Sequence, residues 1–376
     1  MKLLPVFYAF LVMGFGDVVG TLVGFAIKEF SISPATAGLL PFFGFIAFGL
    51  LSVPASMAAK KAGQRNVLLF GMALAAVGFT IATADLSTYR NLLLAILLAG
   101  SGLTIVQVTG NPLLKTVANP NYYARNLTFA QFVKSIGSLS APFLISWVLD
   151  DWSLLFPIYL ALTILCIVSL LPVKNVIEET LDNGSKEVSY LELIKDPYTA
   201  LMVATIFLYV GAEVGVNSWI ASLLSKEFNL PLEKWATLGI AIFFTALLVG
   251  RFLSSLALNY LKPETFFVVT ATASVFSVCG IIFGNQYVAI ASIALVGLSF
   301  ASVFPLIFSI TLERKPDHPN ELSGLMCMAV TGGAFIPLLM GVVADYSVRY
   351  SFVVPLVCSL IILTTSLVTY RSKKEI

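Results

Sequence analysis

Three ionisable residues lie deep inside long apolar stretches of the chain: Asp17, Lys134 and Glu213. Asp17, for instance, sits within an apolar run from Pro5 to Ile27. A charged side chain at the centre of a membrane helix costs roughly 2.5–3.5 kcal/mol on insertion scales. Such residues normally face a bundle interior or a water-filled cavity, where they take up protons or bind substrates. Proton transfer and ligand binding are therefore the chemistry to expect.

Each of these residues, and one further segment, has polar neighbours three or four positions away, which places them on one helical face. The four stripes are Asp17 with Thr21; Thr104, Gln107 and Asn111; Gln131, Lys134, Ser135 and Ser138; and Tyr209, Glu213 and Asn217. We interpret them as the wall of a central cavity. Amides donate and accept hydrogen bonds, and an aromatic ring can cover an apolar face of a sugar. The stripes therefore favour a polyhydroxylated ligand over an apolar drug.

A purely structural interpretation of the same residues also stands. Gln107, Asn111 and Gln131 could join helices by hydrogen bonds, as polar side chains do in membrane bundles. Asp17 and Lys134 could form a structural ion pair, which often adds little net stability. Trp219, two residues after Asn217, is better explained by packing than by ligand contact.

The composition indicates an integral membrane protein. Of 376 residues, 58% are apolar and 11% are charged, against about 25% charged in soluble domains. The net charge is only +2, and no basic run alternates with aromatic residues, so nucleic-acid binding has no support. The four cysteines have neither metal-ligand spacing nor a disulfide pattern, and we predict no metal and no cofactor.

Twelve apolar stretches of about 20 residues predict an all-α polytopic protein with twelve transmembrane helices in two bundles of six. The first stretch is too long for a signal peptide and is expected to be retained. A polar linker over 173–197 separates the bundles 1–172 and 198–376. The predicted spans, numbered 1 to 12, are 5–27, 35–59, 66–85, 91–115, 124–148, 153–172, 198–225, 234–258, 263–283, 287–311, 321–343 and 350–370.

Lysines and arginines predict the orientation. With the N-terminus inside, sixteen of them fall at cytoplasmic ends and five at outer ends, which by the positive-inside rule puts both termini in the cytoplasm. Arg251, about two turns from the cytoplasmic end of span 8, is expected to extend its guanidinium to the membrane surface.

The two halves also resemble each other. Residues 136–151 in span 5 and 331–346 in span 11 share five of sixteen residues at an offset of 195, among them Gly137 and Gly332. Spans 5 and 11 hold equivalent places if the second half repeats the first in parallel. Transporters built from such repeats bind substrate at the repeat interface, near the bilayer midplane.

Several stretches resemble the major facilitator superfamily and, within it, the fucose–galactose–hexose proton symporters. They occur in the family's order over most of the chain: QVTGNPLL (107–114), LTFAQFVKSIGSLSAPF (127–143), YVGAEVGVNSW (209–219), GRF (250–252), FASVFPLIFSI (300–310) and SGLMCMAVTGGAFIPLLMGVVAD (323–345). The resemblance implies the major facilitator fold, transport by alternating access, and a monomer in the bacterial inner membrane.

The same resemblance assigns roles to individual residues. It makes Asp17 the acid that takes up the coupling proton, and places Glu213 with the glucose/galactose-like branch. Fucose carriers have an acid four residues before the Asn-Pro pair; here Gln107 stands there, which speaks against fucose. Where relatives usually have a sugar-binding asparagine, this chain has Lys134. It either pairs with Asp17 or Glu213, or meets an anionic substrate.

The sequence thus predicts a proton-coupled importer of a hexose or related monosaccharide. Asp17 and Glu213 are the predicted proton-coupling residues. The predicted sugar-binding residues are Gln107, Asn111, Gln131, Lys134, Tyr209, Asn217 and Trp219. The alternatives are an uncoupled sugar facilitator, a carrier of acidic sugars with Lys134 as counter-charge, and an efflux carrier of drugs or metabolites. An enzyme is not expected, because no nucleophile–base pair lies at depth and His318 is the sole histidine. The expected partners are the sugar, protons and membrane lipid.

Overall fold

The structure is a computed structural model. It describes residues 3–32, 36, 39–118, 122–147, 151–175, 190–230, 232–344 and 346–374. Nearly all of these residues are helical. The α-helices are α1 (Leu3–Met13), α2 (Phe15–Phe30), α3 (Leu39–Ala62), α4 (Gln64–Ala84), α5 (Tyr89–Val117), α6 (Tyr123–Trp147), α7 (Leu155–Leu170), α8 (Tyr190–Lys195), α9 (Pro197–Lys226), α10 (Leu232–Ala257), α11 (Pro263–Phe283), α12 (Gln286–Phe300), α13 (Val303–Arg314), α14 (Pro319–Met328), α15 (Gly332–Ala344), α16 (Val348–Ser351) and α17 (Val353–Lys374).

The prediction of an all-α membrane protein is confirmed. Among the described residues, ten helical segments are long and apolar enough to cross a bilayer, and a shorter apolar segment runs over Leu3–Val19. Spans 1 and 5 are the predicted spans absent from those ten. Span 1 is interrupted at Gly14, and several side chains of span 5 beyond residue 140 lie outside the described set.

Three predicted spans are not continuous helices. Span 1 divides at Gly14 into α1 and α2, and the Asp17 amide bonds to the Gly14 carbonyl three residues back, which tightens the backbone there. Span 10 divides into α12 and α13 just before Pro305, whose ring would clash with the carbonyl of Ala301 in a continuous helix. Span 11 is α14, a 3₁₀ turn over Ala329–Thr331, and α15.

The contacts divide the chain into two compact units. Unit N contains residues 1–123, 133–193 and 317–328, and unit C contains residues 124–132, 194–316 and 329–376. Each unit therefore holds a short segment from the other half of the sequence. The predicted division into 1–172, a linker 173–197 and 198–376 stays a prediction, and residues 176–189 of that linker lie outside the described residues.

One glycine contact recurs inside each unit. In unit N, Gly137 of α6 lies against the Leu11 carbonyl of α1, with no room for a Cβ between them. In unit C, Gly332 of α15 lies against the Phe207 carbonyl of α9 in the same way. Close backbone approach at glycine is a recurrent way of joining membrane helices. Because Gly137 and Gly332 match at the offset of 195, their shared geometry supports the internal repeat.

Candidate binding and coupling sites

In unit N, the carboxylate of Asp17 is held on both of its oxygens. Lys134 Nζ lies 2.9 Å from Asp17 Oδ1, and Ser138 Oγ donates to Asp17 Oδ2 at 2.7 Å. The side chains of Asp17 and Lys134 are 24% and 15% exposed, respectively. A charged pair of this kind, supported by a further hydrogen bond, is the arrangement in which a buried carboxylate is tolerated. Of the two internal acids considered for Lys134, the structure pairs it with Asp17.

The helix break and the glycine contact place this cluster. Gly14 lies against the backbone of Lys134, Gly137 and Ser138, so α6 passes directly beside the junction of α1 and α2. Asp17 follows one turn later and meets the side chains that α6 presents. An aromatic group behind it, formed by Phe15, Phe79 and Tyr159, fixes α2, since the Phe15 ring lies edge-on to the other two. The side chain of Thr21, predicted to share this stripe, lies outside the described set.

The α5 stripe is more deeply enclosed than expected. Thr104 and Asn111 are fully buried, and Gln107 is 6% exposed. Among the described residues, neither Thr104 Oγ1 nor Asn111 Oδ1 has a hydrogen-bond partner. The Asn111 amide nitrogen lies 3.9 Å from Cys327 Sγ of α14. A buried polar atom without a partner costs about 1–3 kcal/mol, so these atoms are candidates for ligand contacts, although Asn111 is covered in this conformation.

Unit C contains a second internal ion pair, centred on Arg251. Its Nη2 lies 3.4 Å from Glu213 Oε1, and its Nη1 donates to the Gln131 carbonyl at 3.3 Å. Arg251 is 5% exposed, so the expectation that its guanidinium reaches the membrane surface is wrong. The attraction of Glu213 and of a backbone carbonyl holds the group inside. The sequence analysis named Arg251 but not its role; once Lys134 pairs with Asp17, Glu213 needs another internal cation, and Arg251 is that cation.

The remaining predicted binding residues of unit C differ in accessibility. Tyr209 is 1% exposed, and its hydroxyl donates to the Phe300 carbonyl at 3.0 Å, which favours a packing role for this ring. Asn217 and Trp219 are half-buried. Among the described residues, Asn217 Oδ1 lacks a hydrogen-bond partner, and the Trp219 ring lies close to Gly341. A direct sugar contact stays a prediction for all three.

The predicted site residues therefore fall into two groups. Asp17, Lys134, Gln107 and Asn111 belong to unit N, while Gln131, Glu213, Tyr209, Asn217 and Trp219 belong to unit C. Gln131 and Lys134 are neighbours on one face of α6, yet each belongs to a different group. Over the described residues there is no cluster of three or more histidine, cysteine or acidic side chains that could hold a metal.

Comparison with known proteins gives consistent matches. The sequence profile of the Major Facilitator Superfamily matches residues 6–336. The glucose/galactose transporter of Brucella abortus is 30% identical over 349 residues, covering 88% of this chain and 84% of that protein. The L-fucose-proton symporter of Haemophilus influenzae is 23% identical over 394 residues, covering 89% and 88% of the two chains.

The fold is also that of a solved transporter. The outward-facing crystal structure of the major facilitator transporter FucP matches with a TM-score of 0.84 at 16% identity, covering 98% of each chain. This likeness shows the fold, which is the predicted major facilitator fold. The matched family and the named relatives are transporters and not enzymes.

Proposed function

The chain belongs to the Major Facilitator Superfamily, and within it to the fucose–galactose–hexose symporters; from that premise we propose that it imports a neutral monosaccharide together with protons. The observation that carries the proposal is the Asp17 carboxylate, held by Lys134 and Ser138 within an apolar helix. Relatives named as glucose/galactose transporter and L-fucose-proton symporter support both the substrate class and the coupling.

The charge balance of the two ion pairs supports the proposal of a neutral sugar over an acidic one. Lys134 is matched by Asp17, and Arg251 is matched by Glu213. An anionic sugar would have to displace a carboxylate 2.9 Å from the ammonium group and leave it buried without a counter-charge. A neutral sugar requires no such displacement, because its hydroxyl groups can bind to an amide such as that of Gln107.

Protonation of Asp17 couples the proton to the sugar through Lys134. When Asp17 is neutral, the ammonium group of Lys134 loses its charged partner while remaining mostly buried. Hydroxyl oxygens of a sugar are acceptors for this ammonium, so a bound sugar stabilises the protonated state of Asp17. By linkage, the proton must favour sugar binding to the same extent. Without sugar, the same protonation would leave the ammonium group of Lys134 mostly buried without a counter-charge, which is costly.

An uncoupled facilitator is the second candidate. The contacts of Lys134 and Ser138 with the Asp17 carboxylate favour a facilitator, because both stabilise the ionised form of Asp17. If Asp17 stays ionised throughout the cycle, the same residues move sugar down its gradient without protons. For either form of transport, we propose that the protein is a monomer in the bacterial inner membrane with both termini in the cytoplasm.

The test is proton uptake by de-energised membrane vesicles that contain the protein, on addition of glucose, galactose, mannose or glucuronate singly. We expect alkalinisation outside with at least one neutral sugar, and its loss in Asp17→Asn. Asp85→Asn, which changes an exposed acid after α4, is the matched control and should behave as wild type. Sugar binding without proton uptake would establish the facilitator instead. A response to glucuronate alone would overturn the neutral substrate.

A further inference from the structure

A groove opens on one side of unit C, between α10, α11 and α12. Its volume is about 520 Å³, which lies within the range of roughly 300–1,000 Å³ typical of ligand sites. Its rim carries Leu253, Val269, Phe276 and Leu295, each more than half exposed. Since these helices span a membrane, the rim faces lipid rather than water.

The groove exists because its floor is built from small residues. Ser254 lies on α10, Ser277 on α11 and Ser292 on α12, where larger side chains would fill the space. Three hydroxyl groups that line the groove donate to carbonyls of their own helices: Ser277 to Ala273 at 2.7 Å, Thr270 to Phe266 at 3.1 Å and Ser299 to Val296 at 3.0 Å. Hydroxyl groups that donate in this way offer no hydrogen to a sugar, and the apolar rim favours an apolar chain as the occupant.

One end of the groove lies at a membrane–water interface. Ala257 and Phe266 line this end, and residues 258–262 connect their helices. In that connection Tyr260 is 90% exposed and Lys262 is exposed. Tyrosine and lysine are typical of the headgroup region, and an ammonium attracts lipid phosphate. This end is on the predicted cytoplasmic side, where anionic lipids are enriched.

We propose that this groove binds one acyl chain of an anionic phospholipid, with the phosphate held at Lys262. The chain lies along Phe266 and Val269 toward Phe276 and replaces the side chains that the small floor residues do not supply. The bound lipid supports α10 from outside, next to the position where Arg251 follows Gly250 in the sequence. The site is separate from the residues proposed to bind sugar, so it does not depend on the identity of the substrate.

The experiment uses the full-length protein in nanodiscs of phosphatidylglycerol and phosphatidylcholine, with a trace of phosphatidylglycerol that carries a diazirine midway along one acyl chain. After irradiation, mass spectrometry locates the adducts. We expect them to concentrate on Leu253, Val269 and Phe276 rather than spread over exposed residues such as Val357 and Leu360 of α17.

Two variants with matched controls sharpen the test. Ala273→Trp fills the groove from its exposed side and should remove most groove adducts. Ala291→Trp changes an exposed alanine of α12 outside the groove and should leave them unchanged. Lys262→Gln should lower the preference for phosphatidylglycerol about fivefold, the contribution of one lysine near an anionic surface. Lys61→Gln, at an exposed lysine of α3, should not.

Three results would overturn the proposal. Adducts spread evenly over the lipid-facing surface would mean ordinary surrounding lipid. Equal groove labelling by a phosphatidylcholine that carries the same diazirine would remove the role of Lys262. A groove free of adducts in a protein that light scattering finds dimeric would assign it to a second copy of the chain.

Discussion

The two internal ion pairs have similar chemistry but different geometry. In unit N, Lys134 lies 2.9 Å from Asp17, and Ser138 completes the carboxylate. In unit C, Arg251 lies 3.4 Å from Glu213 and divides its donors between that acid and the Gln131 carbonyl. The contacts of the first pair are between side chains, whereas Arg251 of the second pair also donates to a backbone carbonyl. The difference suggests that protonation of Asp17 releases a free ammonium, while protonation of Glu213 leaves Arg251 bound to the backbone.

The largest expected effect follows from neutralising each acid in turn. Asp17→Asn should reduce the proton-driven accumulation ratio of sugar to about one while sparing sugar exchange, because the switch is permanently neutral. Glu213→Gln, although Glu213 was also predicted to take part in coupling, should weaken sugar binding without abolishing accumulation. Uptake and counterflow of labelled sugar in vesicles measure both effects. Accumulation that persists in Asp17→Asn and disappears in Glu213→Gln would reverse the assignment.

Removing the cation of each pair should destabilise the protein to different extents. Lys134→Met leaves a mostly buried carboxylate without its counter-charge, a change that costs about 3–5 kcal/mol in a fully buried pair and less at this partial exposure. Asp17→Asn with Lys134→Met should restore part of the loss. The coupling free energy from this cycle should exceed that for Glu213→Gln with Arg251→Gln, since the first pair is shorter. Thermal unfolding in detergent measures both cycles; equal coupling energies would contradict the comparison.

Variants at the two glycine contacts distinguish a general effect on packing from an effect on the position of Asp17. Gly137→Ala and Gly332→Ala both insert a methyl group where a neighbouring carbonyl already lies. Each should destabilise its unit by about 1–3 kcal/mol. Only Gly137→Ala moves the helix that carries Lys134 and Ser138, so only this variant should shift the pH dependence of sugar binding. A shift of the same size in Gly332→Ala would mean that the glycine contact does not act through Asp17.

The smallest effect comes from an ion pair outside the membrane-spanning segments. Asp196, the N-cap of α9, lies 2.8 Å from Lys315 Nζ. Partial burial raises the pKa of Asp196, but hydrogen bonds from Lys315 and Thr199 and the charge of Lys315 outweigh it and lower the pKa to about 2. The carboxyl is therefore protonated less readily in the folded protein than in the unfolded chain. Its contribution to stability is present above about pH 4 and is lost as the pH falls toward 2.

Asp196→Asn tests this pH dependence of stability, since asparagine can still cap the helix. The unfolding temperature should be slightly lower than that of wild type at pH 7, by an effect of about 1 kcal/mol or less for a partly exposed pair. The difference should shrink as the pH is lowered from 5 to 3. A difference that grows toward low pH would contradict the sign of the pKa change.

Much of the chemistry was readable from residue types and depth. Asp17 and Lys134 were identified as candidates because a charged side chain in an apolar stretch must be compensated. Helical spacing also identified the stripes that hold Gln107, Asn111 and Asn217. Arg251 was misjudged because depth along a helix does not say which way a long side chain turns. The burial of Tyr209 was missed for a related reason: spacing defines a face, but not what covers it.

The sequence by itself determined that this is a helical membrane protein of the major facilitator superfamily, because hydropathy and local motifs depend on residues close together in the chain. Only the tertiary structure decided that Lys134 pairs with Asp17, that Arg251 pairs with Glu213, and that Asn111 is covered by Cys327. These contacts join residues from 38 to 216 positions apart. They depend on how closely helices approach at residues such as Gly14 and Gly137, and no local pattern contains that distance.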